Sequence, residues 1–425
     1  MEKPRGYPRG FFVLLPLQVR GEPLKSGTAL PHPHDASSIW SRFKGKHVLL
    51  LQGPMGPFFR HVAARLRKSG AQVSKVNFNL ADAVYFFPFP SGALYRGSLQ
   101  QWPEYLAALV ARRSVTNIMV FGDCRPYHRS AIECASKLGI EVYVFDEGYL
   151  RPNYITLERH GVNGYSQLPR DPAFYRSIEA RPCPPAPSVK LAYLHAAFHS
   201  IVYVLICSCF GWLTPRYSHH RDIRWHRQGL LWLRGGLRRV SNTLRDRKLA
   251  QALAAGTLDY FLVPLQVHLD SQITHSEFRD VTEFIQVVVR SFAASAPKSA
   301  SLVFKSHPLD RPYRDYTSLI HSLRRKHNLE LRLHYVDVVN LPAALKNARG
   351  TIVINSTVGL SSLRNLVPTV CLGRAIYDMP GLTHQGMLDD FWNTPEPVDP
   401  GLLDKFVYFI RVETQLAGSV WSGLT

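Results

Sequence analysis

Hydrophobic and polar positions along this chain change texture at about residue 46. Residues 1–45 are rich in Pro, Gly, His and basic side chains without periodicity, which predicts a flexible basic arm. Beyond it, short runs of β-branched and aliphatic residues alternate with helix-length segments, the pattern of a parallel α/β sheet. The first half, 46–180, predicts strands at 48–52, 73–77, 117–121 and 141–145, with helices over 58–69, 102–113 and 128–138. The same grammar restarts in a second half, 255–395, with strands at 260–263, 302–305, 331–336, 351–354 and 369–372. A last segment, 396–425, reads as a helical tail. Two Rossmann-like halves in one chain predict an α/β architecture whose domains face a cleft. Several strands stop at polar turns, and in open α/β sheets the carboxyl ends of strands are where ligands bind.

The segment between the halves, 181–254, breaks the pattern. Residues 191–213 are nearly uncharged, with an apolar run at 201–210. A basic stretch follows: Arg216, Arg221, Arg224, Arg227, Arg234, Arg238, Arg239, Arg245, Arg247 and Lys248, opposed only by Asp222 and Asp246. Trp212, Trp225 and Trp232 are interleaved with these charges. Arginine and tryptophan after an apolar run suit an interfacial element on anionic lipid, with Arg234, Arg238, Arg239, Trp225 and Trp232 as the contacts. A pair of domain-linking helices, apolar inward and basic outward, explains the same pattern. No stretch reads as long and apolar enough to span a bilayer, and 11–19 is interrupted by Pro16 and lacks a cleavage site. The expectation is a cytoplasmic protein, peripheral on the inner membrane.

Composition narrows the class. A chain of 425 residues with a 46% hydrophobic share is sized for two folded domains. Its net charge of +20 calls for polyanionic company: nucleic acid, acidic lipid or a phosphorylated substrate. Nucleic acid is disfavoured because the excess concentrates in one apolar-flanked insert. The six cysteines are scattered with no CxxC pair, so zinc ligation is not expected and a reducing compartment is.

Three turns carry candidate chemistry. Asp146-Glu147-Gly148 puts two carboxylates at the end of a strand, where they raise one another's pKa and Arg151 counters them. Ser306-His307-Pro308, beside Lys305, can hold a phosphate. Asn355-Ser356-Thr357 opens a helix, which suits either a phosphate seat or simple N-capping. Gln52-Gly53 and Gly122-Asp123-Cys124-Arg125 add polar groups to the first sheet's edge. The first glycine run is neither GxGxxG nor a Walker loop, which disfavours dinucleotide binding and ATP hydrolysis. Each turn alone is also an ordinary solvated or capping turn.

Together they resemble the bacterial transferases that use CMP-activated acidic sugars. More closely than these, the chain resembles the KpsS-type capsular polysaccharide biosynthesis proteins, the β-Kdo transferases of Gram-negative capsule loci. The resemblance is carried by LLLQGPMGPFF (49–59), FGDCRPYH (121–128), EGYLRPNYIT (147–156), GVNGYSQLPRDPAFYR (161–176), LQVHLDSQI (265–273), the His-Pro with Asp310-Arg311, and INSTVGLSSL (354–363). It implies a GT-B-like fold and retaining transfer of β-Kdo from CMP-Kdo to a lyso-phosphatidylglycerol-type lipid, starting the linker on which capsule is built. Retention by double displacement needs a carboxylate nucleophile. Glu147 takes that role, with Asp146 in reserve. Lys305, His307, Asn355, Ser356 and Thr357 are expected on the CMP portion, Arg151 and Arg125 on the Kdo carboxylate, and Gln52, Gly53 and Asp123 on sugar or acceptor. CMP-Kdo is the donor substrate, so no cofactor is expected. A donor with one phosphate and no DxD signature requires no metal. Other capsule biosynthesis or export components are possible partners. The competing reading is a non-catalytic, membrane-associated export or scaffold protein that binds lipid-linked polysaccharide.

Overall fold

A computed structural model describes residues 36–424, apart from 90–91, 184–191, 220–223, 269–272, 274–275 and 422. Residues 1–35 of the expected arm lie outside the described residues. The arm ends earlier than its composition suggested: Ala36–Ser41 is helical, and Trp40 and Phe43 are buried in the first core.

The chain forms two compact units. In the first, among the described residues, β1 (His47–Leu50), β2 (Gln72–Asn77), β3 (Gly92–Leu94), β4 (Asn117–Phe121) and β5 (Glu141–Glu147) form a parallel sheet in the order β5-β4-β1-β2-β3. β6 (Tyr154–Arg159) then pairs antiparallel with β5. Alternation along β1 sorts its side chains: Val48 and Leu50 enter one core, Leu49 and Leu51 the other. Both faces are therefore covered, which is why these strands read as unbroken apolar runs.

The second unit holds β7 (Tyr260–Pro264), β8 (Ser301–Lys305), β9 (Leu333–Val336), β10 (Gly350–Val353) and β11 (Thr369–Cys371), all parallel in the order β11-β10-β7-β8-β9. Phe261 and Val263 pack on one side and Tyr260 and Leu262 on the other. Both parallel arrays place their first and fourth strands side by side, so each has a switch point at its carboxyl edge, between β1 and β4 and between β7 and β10. The two-sheet α/β class is the one the hydrophobic pattern predicts.

The unit boundaries differ from the expected ones. Residues Leu168–Glu179 belong to the second unit, and the insert is shared, Ala180–Gln228 with the first and Gly229 onward with the second. The tail is helical only over Pro400–Thr414. It continues as β12 (Gln415–Ser419) and β13 (Gly423–Leu424), with β12 antiparallel to β6 on the first sheet. A strand written QLAGS offers almost no β signal of its own, so its pairing decides its structure.

The insert also departs from expectation. Helix Ala192–Phe210 runs well beyond the apolar core at 201–210, and Leu194–Leu213 is a 20-residue stretch apolar enough to cross a membrane, with 17% of it buried in the protein. One face, with Tyr203, Val204 and Cys207, is packed against the first unit; the opposite face shows Leu194, Phe198, Ile201 and Leu205 to the outside. The spacing of that outer set puts it on one helical stripe. The long helix Trp225–Ala255 is built the same way. Gly235 lets it approach Pro312, since a Cβ there would lie 2.8 Å from the ring, and Asn242 donates to Asp337 at 2.9 Å. Asp246 accepts from the amides of Asp337 and Val338. Leu230, Leu233, Leu237, Val240 and Leu244, at helical spacing, are 62–72% exposed.

Candidate functional site

At the first switch point, Arg125 in the turn after β4 donates to the Gly53 carbonyl after β1 at 2.9 Å. Gln52 was expected to touch substrate, but its amide is buried and engaged within the fold. It donates to the hydroxyls of Tyr217 (2.6 Å) and Tyr203 (3.2 Å) and to Asp82 (3.4 Å). Asn79 and Asp82 hold the same Tyr203 hydroxyl, so this network keys the apolar helix to the end of β1.

The two central carboxylates lie within β5 rather than in a turn after it, opposite Thr156 and Ile155 of β6. Consecutive strand positions face opposite ways, so they meet different surroundings. Glu147 is exposed and forms an ion pair with Arg151 at 3.0 Å, each side chain 51% exposed. Asp146 is half-buried. It accepts from the Asn163 amide at 2.7 Å and from the Glu147 backbone N–H at 2.8 Å. Burial, then the charge of Glu147, pushes its pKa up to about 7. Asp123, buried on β4's turn, accepts from the Val162 N–H at 3.0 Å and adds to that negative field.

Asn163 adopts a left-handed φ of 55° and is fixed from behind. Its backbone N–H donates to the Tyr149 hydroxyl at 2.7 Å, and that hydroxyl and Ser166 both donate to the buried Glu158. Gly148 has a packing reason: a Cβ there would lie 2.1 Å from the Tyr154 carbonyl oxygen. After it, Gln415 of β12 accepts from the Tyr149 N–H at 2.9 Å and donates to Thr156 at 3.1 Å.

The second unit's carboxyl edge has the opposite character. Lys305 is buried at the end of β8, donates to the Ser306 carbonyl at 2.6 Å, and is lowered to about 8 mainly by burial. His307 Nδ1 accepts from the Leu309 N–H at 3.2 Å, which leaves the ring proton on Nε2. Asp310 clamps His268, accepting from its backbone N–H at 2.9 Å and meeting its Nδ1 at 2.5 Å. Arg311 donates to Asp337 at 2.6 Å. Although burial alone would raise it, Asp337 is held below the usual carboxylate range by bonds from Arg311, Ser306 and Asn242. Across the second switch point, Gln266 donates to Asn355 at 3.0 Å. Ser356 caps helix Thr357–Leu363 by accepting from the Val358 N–H at 3.2 Å, so the capping alternative for its hydroxyl is realised.

The expected residues thus fall into two sets. Gln52, Gly53, Asp123, Arg125, Asp146, Glu147 and Arg151 line the first unit's edge; Lys305, His307, Asn355, Ser356 and Thr357 line the second's. Of the expected lipid contacts, Arg234, Arg239, Trp225 and Trp232 are exposed. Arg238 is not free for that role: it donates to the Arg311 carbonyl at 3.0 Å, pairs with Asp315 at 3.6 Å and is 24% exposed. Sequence reasoning assigned no role to Asn163, His268, Asp310 or Asp337. Asp337 ends a strand like Asp146 does, and that rule applied evenly finds it.

A family model described as capsule polysaccharide biosynthesis protein matches residues 116–421, and the chain belongs to that family. It is 39% identical to the capsule polysaccharide export protein KpsS of Escherichia coli over 375 residues, 88% of this chain and 96% of that one. It is 36% identical to the capsule polysaccharide modification protein LipB of Neisseria meningitidis serogroup B over 389 residues, 89% and 92% of the two chains. Among solved structures, the KpsC β-Kdo 2,7 transferase of Thermosulfurimonas dismutans aligns with a TM-score of 0.38 at 15% identity, covering 80% of this chain and 90% of its own.

Proposed function

We propose that this protein is a retaining glycosyltransferase of capsule polysaccharide biosynthesis, moving β-Kdo from CMP-Kdo to a lyso-phosphatidylglycerol-type lipid at the cytoplasmic face of the inner membrane. The observation that carries the reading is Asp146. It is a half-buried carboxylate, fixed by two hydrogen bonds, at the carboxyl edge of a parallel sheet. A nucleophile needs one orientation and partial desolvation, and Asp146 has both. Glu147, exposed and occupied by Arg151, has neither, so the attacking role assigned to it from sequence passes in this reading to its neighbour.

In this scheme an Asp146 oxygen attacks the anomeric carbon of Kdo, and the bond to the CMP phosphate breaks with its electron pair leaving on phosphate. The acceptor hydroxyl then attacks the same carbon, its proton passing to solvent, and the carboxylate is released. Two inversions give net retention. Lys305, the Nε2–H of His307 and the loop Asn355–Thr357 are assigned to the nucleotide, whose negative charge suits them. Arg125 and Arg151 are assigned to the Kdo carboxylate. Membrane contact is assigned to the outward apolar stripes of the two insert helices, flanked by Arg234 and Arg239.

The test is the purified chain with CMP-Kdo and lyso-phosphatidylglycerol, followed by mass spectrometry of the lipid. The expected product is the lipid carrying one Kdo. No product under conditions where a family relative works would favour the scaffold reading instead.

A further inference from the structure

The segment that follows β7 reaches two turns that the nucleotide reading uses separately. Leu265 donates its N–H to the Lys305 carbonyl at 2.8 Å, Gln266 donates to Asn355, and His268 meets the turn Pro308–Asp310 after β8. His307 caps the start of that turn, and Asp310 ends it, 2% exposed. Asp310 accepts from the His268 backbone N–H at 2.9 Å and from its Nδ1 at 2.5 Å, while Tyr313 lies against the ring with centroids 5.7 Å apart. The ring is 15% exposed, and among the described residues its Nε2 has no hydrogen-bond partner.

The two imidazoles at this edge differ chemically. His307 accepts at Nδ1, so it is the neutral tautomer, and losing its Nε2 proton would leave an imidazolate. It can hold a phosphate oxygen but cannot protonate one. His268 points its Nδ1 at a buried carboxylate, which favours the charged ring and leaves Nε2 as the atom that exchanges protons. Burial raises Asp310 above the ordinary carboxylate range and the bonds from His268 draw it back, so the pair acts as a unit. We propose that His268 contacts the nucleotide phosphate through Nε2 and protonates it on departure, with Asp310 as the positioning residue. The phosphate contact needs only a nucleotide in the second unit; the proton transfer rests on the transferase reading. As the bond from the anomeric carbon to the phosphate oxygen breaks, its electron pair stays on that oxygen, which takes the Nε2 proton. The ring is left neutral, with its Nδ1–H still on Asp310, and solvent recharges it before the next turnover.

Binding and chemistry are measured separately. The full chain is titrated by calorimetry with CMP and with cytidine, which lacks the phosphate. His268→Ala is expected to bind CMP about tenfold more weakly, the loss of one charge-assisted contact, with cytidine unchanged. Unchanged CMP affinity, or cytidine weakened equally, overturns the site. In transfer from CMP-Kdo, His268→Gln keeps a hydrogen-bond donor but carries no acidic proton, and kcat is expected to fall about a hundredfold with KM nearly unchanged. Asp310→Asn is expected to lower kcat by a comparable factor, and the double variant no further than His268→Gln alone. Multiplied losses would reduce Asp310 to a structural clasp and overturn its positioning role. Wild-type transfer with an undiminished His268→Gln overturns the acid. A CMP contact without any wild-type transfer overturns the acid together with the transferase reading. The His268 variants, on the more exposed side of the pair, decide the matter if Asp310→Asn fails to fold.

Discussion

The carboxyl edges of the two sheets share a strand order and differ in charge. The first gathers acids: Asp123, Asp146 and Glu147, with arginines beside them. The second gathers cations and imidazoles around β8, with its buried acids engaged, Asp337 by Arg311, Ser306 and Asn242 and Asp310 by His268. The same topology therefore presents a half-buried carboxylate in one unit and a buried lysine beside an imidazole in the other. A switch point fixes where polar loops converge, while the residues on those loops fix what the place can do.

The sharpest way to break that contrast is Asp146→Asn. Transfer is expected to fall on the order of 10³-fold or more with CMP affinity retained, while Glu147→Gln loses only about tenfold. The reverse ranking returns the nucleophile's role to Glu147. Next in size is the lipid contact. Leu233→Asp with Leu237→Asp is expected to release the protein from anionic liposomes, since burying each leucine is worth about 1.5–3 kcal/mol. Arg234→Ala with Arg239→Ala should weaken sedimentation more modestly, about 1 kcal/mol per charge, and in a salt-dependent way. Unchanged co-sedimentation of both variants would make these helices purely structural. On the cationic edge, His307→Ala should weaken CMP binding by about tenfold while leaving the pKa of Asp146 alone, as calorimetry and a pH–rate profile can show.

The smallest effect concerns protonation. In the proposed scheme Asp146 attacks only when ionised, and burial pushes its pKa up to about 7, so the rate is expected to rise with pH through an acid limb close to 7. Asn163 donates to the carboxylate and so favours its charged form; Asn163→Ala should move that limb upward by roughly half to one unit. A limb that stays in place assigns the titration to another group.

Much of this was legible from the chain alone. Every strand of the second unit's sheet falls within a residue or two of its predicted run, because strands covered on both faces leave continuous apolar signatures. β6 and β12 were not legible, since antiparallel strands such as QLAGS draw their structure from a partner more than 200 residues away. The acids of the first site were visible as residues, but not the division of labour between them. That depends on the β5–β6 register and on Asn163, whose support runs through Tyr149 and Glu158. The burial of Lys75 in β2 was invisible for a different reason: a lysine in a strand reads as solvent-facing until the fold buries it. Arg238 shows the converse, a charge in a basic run that packs inward.

Gln415 has a bearing on the order of events during synthesis. Its side chain ties the Tyr149 amide and Thr156 together, and its strand closes the open flank of β6. The segment holding Asp146 leaves the ribosome some 270 residues before that brace does, counted from the sequence positions. Until then β6 is an unpaired edge, open to chance association with other strands, and the loop behind Asp146 lacks its support. A nascent chain is therefore expected to acquire its chemistry late, and stalled or shortened products should be inert and prone to aggregate.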